Sequence, residues 1–265
     1  MSLSQHQPDP YGTVLDVDAS ELDRLRLLER AADPGTVAAF ERIGVAPGWR
    51  CLEVGAGAGS IAGWLADRAG AGSVVATDVD VRFLDDLAER GVRVLRHDVV
   101  ADPAPGDAFD LIHLRHLLVH LPARRAVLDR LVSWLAPGGW LVVEDAHISP
   151  DLINRAAVRA ARAGVVRLLS ERVGSDFSTW ASTLPLPLEE AGLTDAEVGA
   201  TAMTVRGGTP SARLGQLGLE RLSPQLVAAG ILTAEDLASA RTAFADPNLL
   251  DHSHVLFRAV ARKPR

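Results

Sequence analysis

One short run constrains this chain more than any other. It is Arg50-Cys51-Leu52-Glu53-Val54-Gly55-Ala56-Gly57-Ala58-Gly59-Ser60. Cys51, Leu52 and Val54 give it the apolar character of a buried strand. Three alternating glycines then allow a sharp turn and a close approach of backbone to a ligand. From Ser60 to Ala69 the spacing turns helical, with Ile61, Trp64 and Leu65 on one side. A strand, a glycine turn and a helix N-terminus present free backbone N–H groups to a polar or anionic ligand.

The spacing separates this turn from the dinucleotide fingerprint G-x-G-x-x-G. Here the pattern is G-x-G-x-G, and Ser60 stands in place of the third glycine. Glu53 lies two residues before the first glycine, where it would repel a pyrophosphate. The turn therefore suits a ligand without phosphate that carries cationic or hydroxyl groups. The segment from Glu53 to Gly59 resembles motif I of the class I S-adenosylmethionine-dependent methyltransferases. The similarity runs from about Gly35 to Ala146, and more loosely to the C-terminus. It implies S-adenosylmethionine as cofactor, with Glu53, Gly55, Ala56, Gly57 and Gly59 around it.

Composition narrows the function classes. The 265 residues are 48% hydrophobic, enough for one large α/β domain or two small ones. The net charge of −7 argues against a general nucleic-acid binder. The single cysteine, Cys51, leaves neither a disulfide framework nor a cysteine zinc site. Met1 to Gly12 lacks the apolar core of a signal peptide, and no apolar run is long enough to span a bilayer. A cytoplasmic protein without a membrane partner is the expectation. Lys263 is the only lysine, which points to a GC-rich, bacterial genome.

In chain order, residues 1–34 read as an N-terminal arm and lid, with a helix over 21–32 that Pro34 breaks. A second helix is expected from 35 to 43, and Tyr11 is a packing residue or part of the lid. Residues 35–148 read as the cofactor-binding core. Its second strand, Ser73 to Asp80, ends in acid, and Asp78 lies 23 residues after Gly55. That offset suits an acid accepting hydrogen bonds from ribose hydroxyls. Asp78 matches the family's ribose acid, with Val79 beside it. Asp80 either shares that role or caps a helix over 81–90. Asp98, at the end of the strand from Val92, matches the acid that meets the adenine amino group near the Val99 backbone, or else caps a turn. The fourth strand, Phe109 to Arg115, resembles motif IV and implies that the backbone around His113 to Arg115 faces the methionine end of the cofactor. A helix from Pro122 to Leu135 ends at Pro137-Gly138-Gly139, and Trp140 to Asp145 is the fifth strand.

Residues 149–265 read as two helical cap insertions, about 151–183 and 209–247, beside two last strands, about 195–206 and 254–262. Within the second insertion, Ser223-Pro224 is expected to break the helix and Thr233 to cap the next one. Strand–helix alternation implies a parallel sheet covered on both faces. The fold class is thus α/β: a Rossmann-like class I methyltransferase fold with a seven-stranded, mostly parallel sheet, an antiparallel last strand and helical cap insertions.

Methyl transfer needs orientation, water exclusion and sometimes a base. His116 or His120 is a candidate general base, because histidine titrates near neutrality. Asp145 and His147 leave strand five together and form a candidate acid–base pair, or cap the next segment. Glu144, Phe177 and Trp180 are candidate substrate contacts, the two aromatics equally able to fill the cap's own core. Arg155, Arg159 and Arg162 share a helical face that is either solvated or anion-binding. Nothing completes a metal-ligand set around His113, His116 and His120. The resemblance implies methylation of a small molecule at O, N or C, in the style of bacterial secondary metabolism. The alternative is a methyltransferase-fold protein that binds the cofactor, or keeps only its pocket, and catalyses a cyclisation or rearrangement. Oligomeric state is not read from the sequence, a homodimer being one option.

Overall fold

A computed structural model of the chain describes residues 19–265, with side chains from Glu21 onward. The arm before residue 19, including Tyr11, lies outside the described residues. Seven strands form one sheet: β1 (Cys51–Val54), β2 (Val74–Asp78), β3 (Arg93–Arg96), β4 (Phe109–Arg115), β5 (Leu135–His147), β6 (Thr194–Arg206) and β7 (Leu250–Arg262). Their order is β3-β2-β1-β4-β5-β7-β6. The first five pair in parallel, and β7 runs antiparallel between β5 and β6. The last strand is thus the one reversed strand, as the sequence implies.

Among the described residues, eight α-helices surround the sheet: α1 (Ala19–Ile43), α2 (Ser60–Ala69), α3 (Asp85–Glu89), α4 (Arg124–Trp134), α5 (Ala156–Val173), α6 (Leu186–Glu190), α7 (Pro210–Ala228) and α8 (Ala234–Ala245). One apolar layer joins Phe40, Cys51, Leu65 and Val142 beneath α1 and α2. The opposite layer joins Leu52, Ile112, Leu131 and Trp180 beneath α4. A third cluster, with Val158, Leu222, Leu237 and Phe244, holds α5, α7 and α8 together.

Several boundaries differ from the sequence reading, each for a local reason. Residues 19–43 are one helix, and Pro34 sits inside it. Proline withholds one amide from the ladder. Both halves are nevertheless pinned by buried Ala32, Thr36, Ala39 and Phe40, while Pro34 itself faces outward. Pro224 is likewise inside α7. Helix α3 starts at Asp85 rather than 81 because Asp78 and Asp80 take the N–H groups of Asp80 and Arg82 in a turn. Helix α5 starts at Ala156 rather than 151 because the Asp251 carboxylate accepts from the backbone N–H groups of Asn154 and Arg155 and holds that stretch extended. Strand β5 begins at Leu135, with the Pro137–Gly139 run as an irregularity in its pairing with β4. Thr233 caps α8 in a reciprocal box with Asp236.

Candidate functional site

The glycine turn leaves β1 at the C-terminal edge of the sheet. Gly55, Gly57 and Gly59 have φ of 73°, 59° and 91°, a region that side chains strain to enter. The N–H groups of Gly55 and Ala56 donate to the Thr77 carbonyl at 2.8 and 3.0 Å, which ties the turn to the end of β2. A Cβ on Gly59 would lie 2.7 Å from the Leu87 side chain. Gly59→Ala is therefore expected to cost about 1–2 kcal/mol from the left-handed backbone alone, and more if Leu87 cannot move. A melting temperature unchanged from the parent would contradict that packing.

Asp78 is where the turn and β2 converge. Its Oδ2 accepts the Gly57 N–H at 2.8 Å and its Oδ1 accepts the Asp80 N–H at 3.0 Å. Burial raises the Asp78 pKa, and the backbone donors pull it back. Each carboxylate oxygen carries a second lone pair, so the group can still receive hydroxyl donors. Val79 and Val100 stay 48% and 40% exposed at the adjoining strand ends, an apolar surface suited to a flat ring. Asp98 is exposed, and its Oδ1 accepts the Val100 N–H at 2.8 Å, so it does form the turn that sequence offered as one reading. Val99 is buried beside it. Helix α1 overhangs the turn: a Cβ on Gly57 would sit 3.4 Å from Leu25, and one on Gly55 3.5 Å from Leu117. Acid at the ribose position, apolar strand ends and a glycine trough fit the adenosyl group that the sequence resemblance implies.

The side chains of Glu53 and His113 do something else. Strand alternation turns both toward α1, where they stand opposite each other in the β1–β4 register. Glu53 Oε2 and His113 Nδ1 are 2.7 Å apart, and both side chains are buried. Burial pushes Glu53 up and holds His113 down at about 3, so the pair shares one proton. Phe40 closes over His113 edge-on at 5.2 Å. These two side chains are thus an internal prop between β1 and β4, and the cofactor contact implied for His113 is one of its backbone.

Arg115 and Glu144 lie on the same side in a longer polar chain. Arg115 donates to Thr36 Oγ1 and Asp33 Oδ1 at 2.9 and 2.8 Å. Thr36 donates to Glu144 Oε2 at 2.9 Å, and Arg258 of β7 pairs with Glu144 Oε1. Ser60 closes the chain, its hydroxyl on Asp33 at 3.2 Å and its N–H on Glu29 at 3.1 Å. These bonds fasten α1 to the strand ends and to the start of α2. Fully buried Glu144 is thus an anchor of that network, not the substrate contact expected from sequence.

On the other face, Asp145 Oδ2 accepts the Val119 N–H and the Trp180 indole N–H at 3.0 and 3.1 Å. Its Oδ1 has no partner among the described residues. Burial pushes the carboxyl up to about 7. The expected Asp145–His147 pair is not formed: His147 packs against Phe257 with ring centroids 6.0 Å apart. His120 stacks on Phe177 at 5.0 Å, and burial holds it at about 3. Phe177 and Trp180 belong to the sheet core beneath α4 and not to the cluster that holds α5, α7 and α8 together, so they do not form the cap's own core. Of the helical arginines, Arg155 and Arg159 face solvent, while Arg162 reaches the Ser253 hydroxyl at 3.4 Å.

Of the four candidate catalytic groups, His116 lines a cavity of about 390 Å³ between α1, α7, β6 and β7. Its φ is 54°, and its N–H donates to the Glu144 carbonyl at 2.8 Å. His254 of β7 lies opposite, ring centroids 6.2 Å apart. The sequence reading missed His254, whose only signal was its place at the start of the last alternating strand. Among the described residues no His, Cys, Asp and Glu group is placed to hold a metal, and no helix is long and apolar enough to cross a membrane.

Comparison with known proteins gives three findings. A family described as "Methyltransferase domain" matches residues 19–187. Among curated relatives, Methyltransferase str3 of Strobilurus tenacellus is 31% identical over 122 residues, 44% of each chain. Methyltransferase GfsG of Streptomyces halstedii is 31% identical over 135 residues, 48% of each. The chain spans about half the length of the curated relatives it matches. Among solved structures, Phosphoethanolamine N-methyltransferase 2 of Haemonchus contortus, in complex with S-adenosyl-L-methionine, superposes with a TM-score of 0.56 at 17% identity, over 94% of this chain and 61% of that one. A putative methyltransferase of Bacillus halodurans superposes with a TM-score of 0.56 at 19% identity, over 87% and 100%. At such identities the likeness is one of fold.

Proposed function

Because this chain belongs to the methyltransferase-domain family, we propose that it transfers the methyl group of S-adenosylmethionine to a small-molecule acceptor, in bacterial secondary metabolism. The observation that carries this reading is Asp78, bonded to the Gly57 N–H beneath the glycine turn and flanked by exposed Val79. When bound, the cofactor supplies an electrophilic methyl group on a sulfonium. This chain's residues bind and orient it. Asp78 receives the ribose hydroxyls, Asp98 and the Val99 backbone meet the adenine amino edge, and the glycine turn lets the chain pass close to the methionine end. Helix α1, with Leu25 over Gly57, excludes water from that end. The acidic net charge supports a small acceptor over a nucleic acid.

The test is product analysis. Purified protein, methyl-labelled S-adenosylmethionine and a panel of small alcohols, phenols and amines are expected to yield S-adenosylhomocysteine together with an equal amount of labelled product. Cofactor binding with no S-adenosylhomocysteine released for any acceptor class would contradict methyl transfer and favour a non-methylating reaction in the same pocket.

A further inference from the structure

The cavity between α1, α7, β6 and β7 has a chemistry of its own. Its volume of about 390 Å³ lies within the roughly 300–1,000 Å³ range of small-molecule sites. Leu27, Leu214 and Leu256 give it apolar walls. No described lining residue is a carboxylate, and the two charged groups on it are Arg30 and Arg206. An ammonium group would find cations and no counter-ion there. His116 and His254 face each other across the lining. Burial is the main cause holding both imidazoles below their ordinary pKa, His254 at about 4, so both are neutral at pH 7 and each can offer a lone pair to a hydroxyl donor.

Position links this cavity to the cofactor trough. Leu117, the neighbour of His116, is the side chain that a Cβ on Gly55 would meet at 3.5 Å. One residue thus faces the glycine turn and the residue before it faces the cavity. The left-handed backbone at His116 makes that division, because it turns the chain sharply where β4 ends.

We infer that this cavity holds the methyl acceptor, that the acceptor is a largely apolar, uncharged molecule bearing a hydroxyl, and that the His116–His254 pair takes the hydroxyl proton. This rests on the methyl-transfer reading above. As the oxygen–methyl bond forms, the methyl–sulfur bond breaks and its electron pair stays on sulfur. The hydroxyl proton passes to an imidazole nitrogen and leaves to solvent with product release. Charge balances, since one sulfonium is lost and one proton passes through the imidazole to solvent.

The experiment uses the full chain and two probes of one shape, 2-naphthol and 2-naphthylmethylamine, the latter an ammonium at pH 7. S-adenosylhomocysteine binding is measured first and alone; its absence would strike the cofactor reading, while direct titration of the free protein with 2-naphthol still decides the cavity. With the cofactor product bound, 2-naphthol is expected to bind at least tenfold tighter than the amine. Leu214→Trp and, independently, Ala31→Phe are expected to weaken it at least tenfold while keeping the parent circular dichroism spectrum. With S-adenosylmethionine instead, 2-naphthol is expected to be methylated. His254→Gln should slow that turnover at least tenfold and leave the naphthol Kd within threefold. Equal binding of amine and naphthol, binding indifferent to both cavity-filling variants, bound naphthol that is never methylated, or unchanged turnover in His254→Gln would each overturn the inference.

Discussion

Arg258→Ala is expected to lower folding stability by about 3–5 kcal/mol, the range for removing one partner of a buried ion pair. Glu144 is fully buried on β5, and Arg258 is its ion-pair partner across the β5–β7 register. Without the guanidinium, Glu144 keeps the Thr36 hydroxyl bond and loses its counter-charge. The damage reaches beyond one pair. Thr36 links Glu144 to Arg115, and Arg115 links to Asp33, so α1 loses part of its hold on the strand ends. Gly35 also passes so near Arg258 that a Cβ there would collide with the guanidinium, so truncation opens a void beneath the helix. For a chain of this size each kcal/mol is worth roughly 2–4 °C of melting temperature. Urea denaturation of Arg258→Ala is the check, and a loss below about 1 kcal/mol would contradict a buried, coupled pair. The double variant Arg258→Met, Glu144→Leu is expected to regain most of the loss, because apolar replacement of both charges removes the desolvation penalty.

The second large effect is acid lability. Burial holds His113 and His120 at about 3, His254 at about 4, and His116 well below its ordinary value of 6.5. Groups depressed in the folded state contribute stability above their unfolded pKa, and that contribution is lost as pH falls. Below about pH 6.5 the unfolded chain takes four protons that the fold refuses. Two raised carboxyls act in the opposite sense. Asp145, at about 7, and Glu53 accept protons in the fold before they would in the unfolded chain. The depressed histidines outnumber these two carboxyls, so the unfolded chain binds more protons than the fold and stability falls as pH drops below about 6.5. Raised Glu29 and Asp78 soften the fall at its acid end. Urea midpoints measured from pH 7.5 to 4.5 are expected to fall steeply below pH 6.5, and His120→Leu to flatten the fall by about one proton. A midpoint constant from pH 7 to 5 would show that these imidazoles are hydrated rather than buried.

The parts of this molecule legible in the sequence are those written in short range. The glycine turn, the apolar strands on either side of it and the acid at Asp78 all follow from spacing within one βα unit. Turn chemistry marks Thr233, whose capping box spans only four residues. Helix α1 was misread at Pro34 because local propensity weighs the missing amide and not the burial of Thr36 and Phe40 on either side. The polar residues were harder still. Glu53 and His113 are 60 positions apart and become partners only through the β1–β4 register. Glu144 and Asp145 are adjacent in sequence, yet strand alternation sends one to Arg258 and the other to Trp180. His254 stands beside His116 because β7 reverses direction and inserts between β5 and β6, a fact of topology that no local pattern encodes.

The most direct measurement is calorimetric titration of the chain with S-adenosylmethionine and S-adenosylhomocysteine, with Asp78→Ala alongside. Both ligands are expected to bind the parent chain with micromolar affinity. In the variant the ribose hydroxyls lose their acceptor and the Gly57 N–H loses its own. Affinity is expected to fall by about 1–3 kcal/mol, roughly five- to 150-fold. Equal affinity in a folded Asp78→Ala variant would remove the ribose role from this carboxylate. No binding of either ligand to the parent would mean that the glycine turn and its acid serve something other than S-adenosylmethionine.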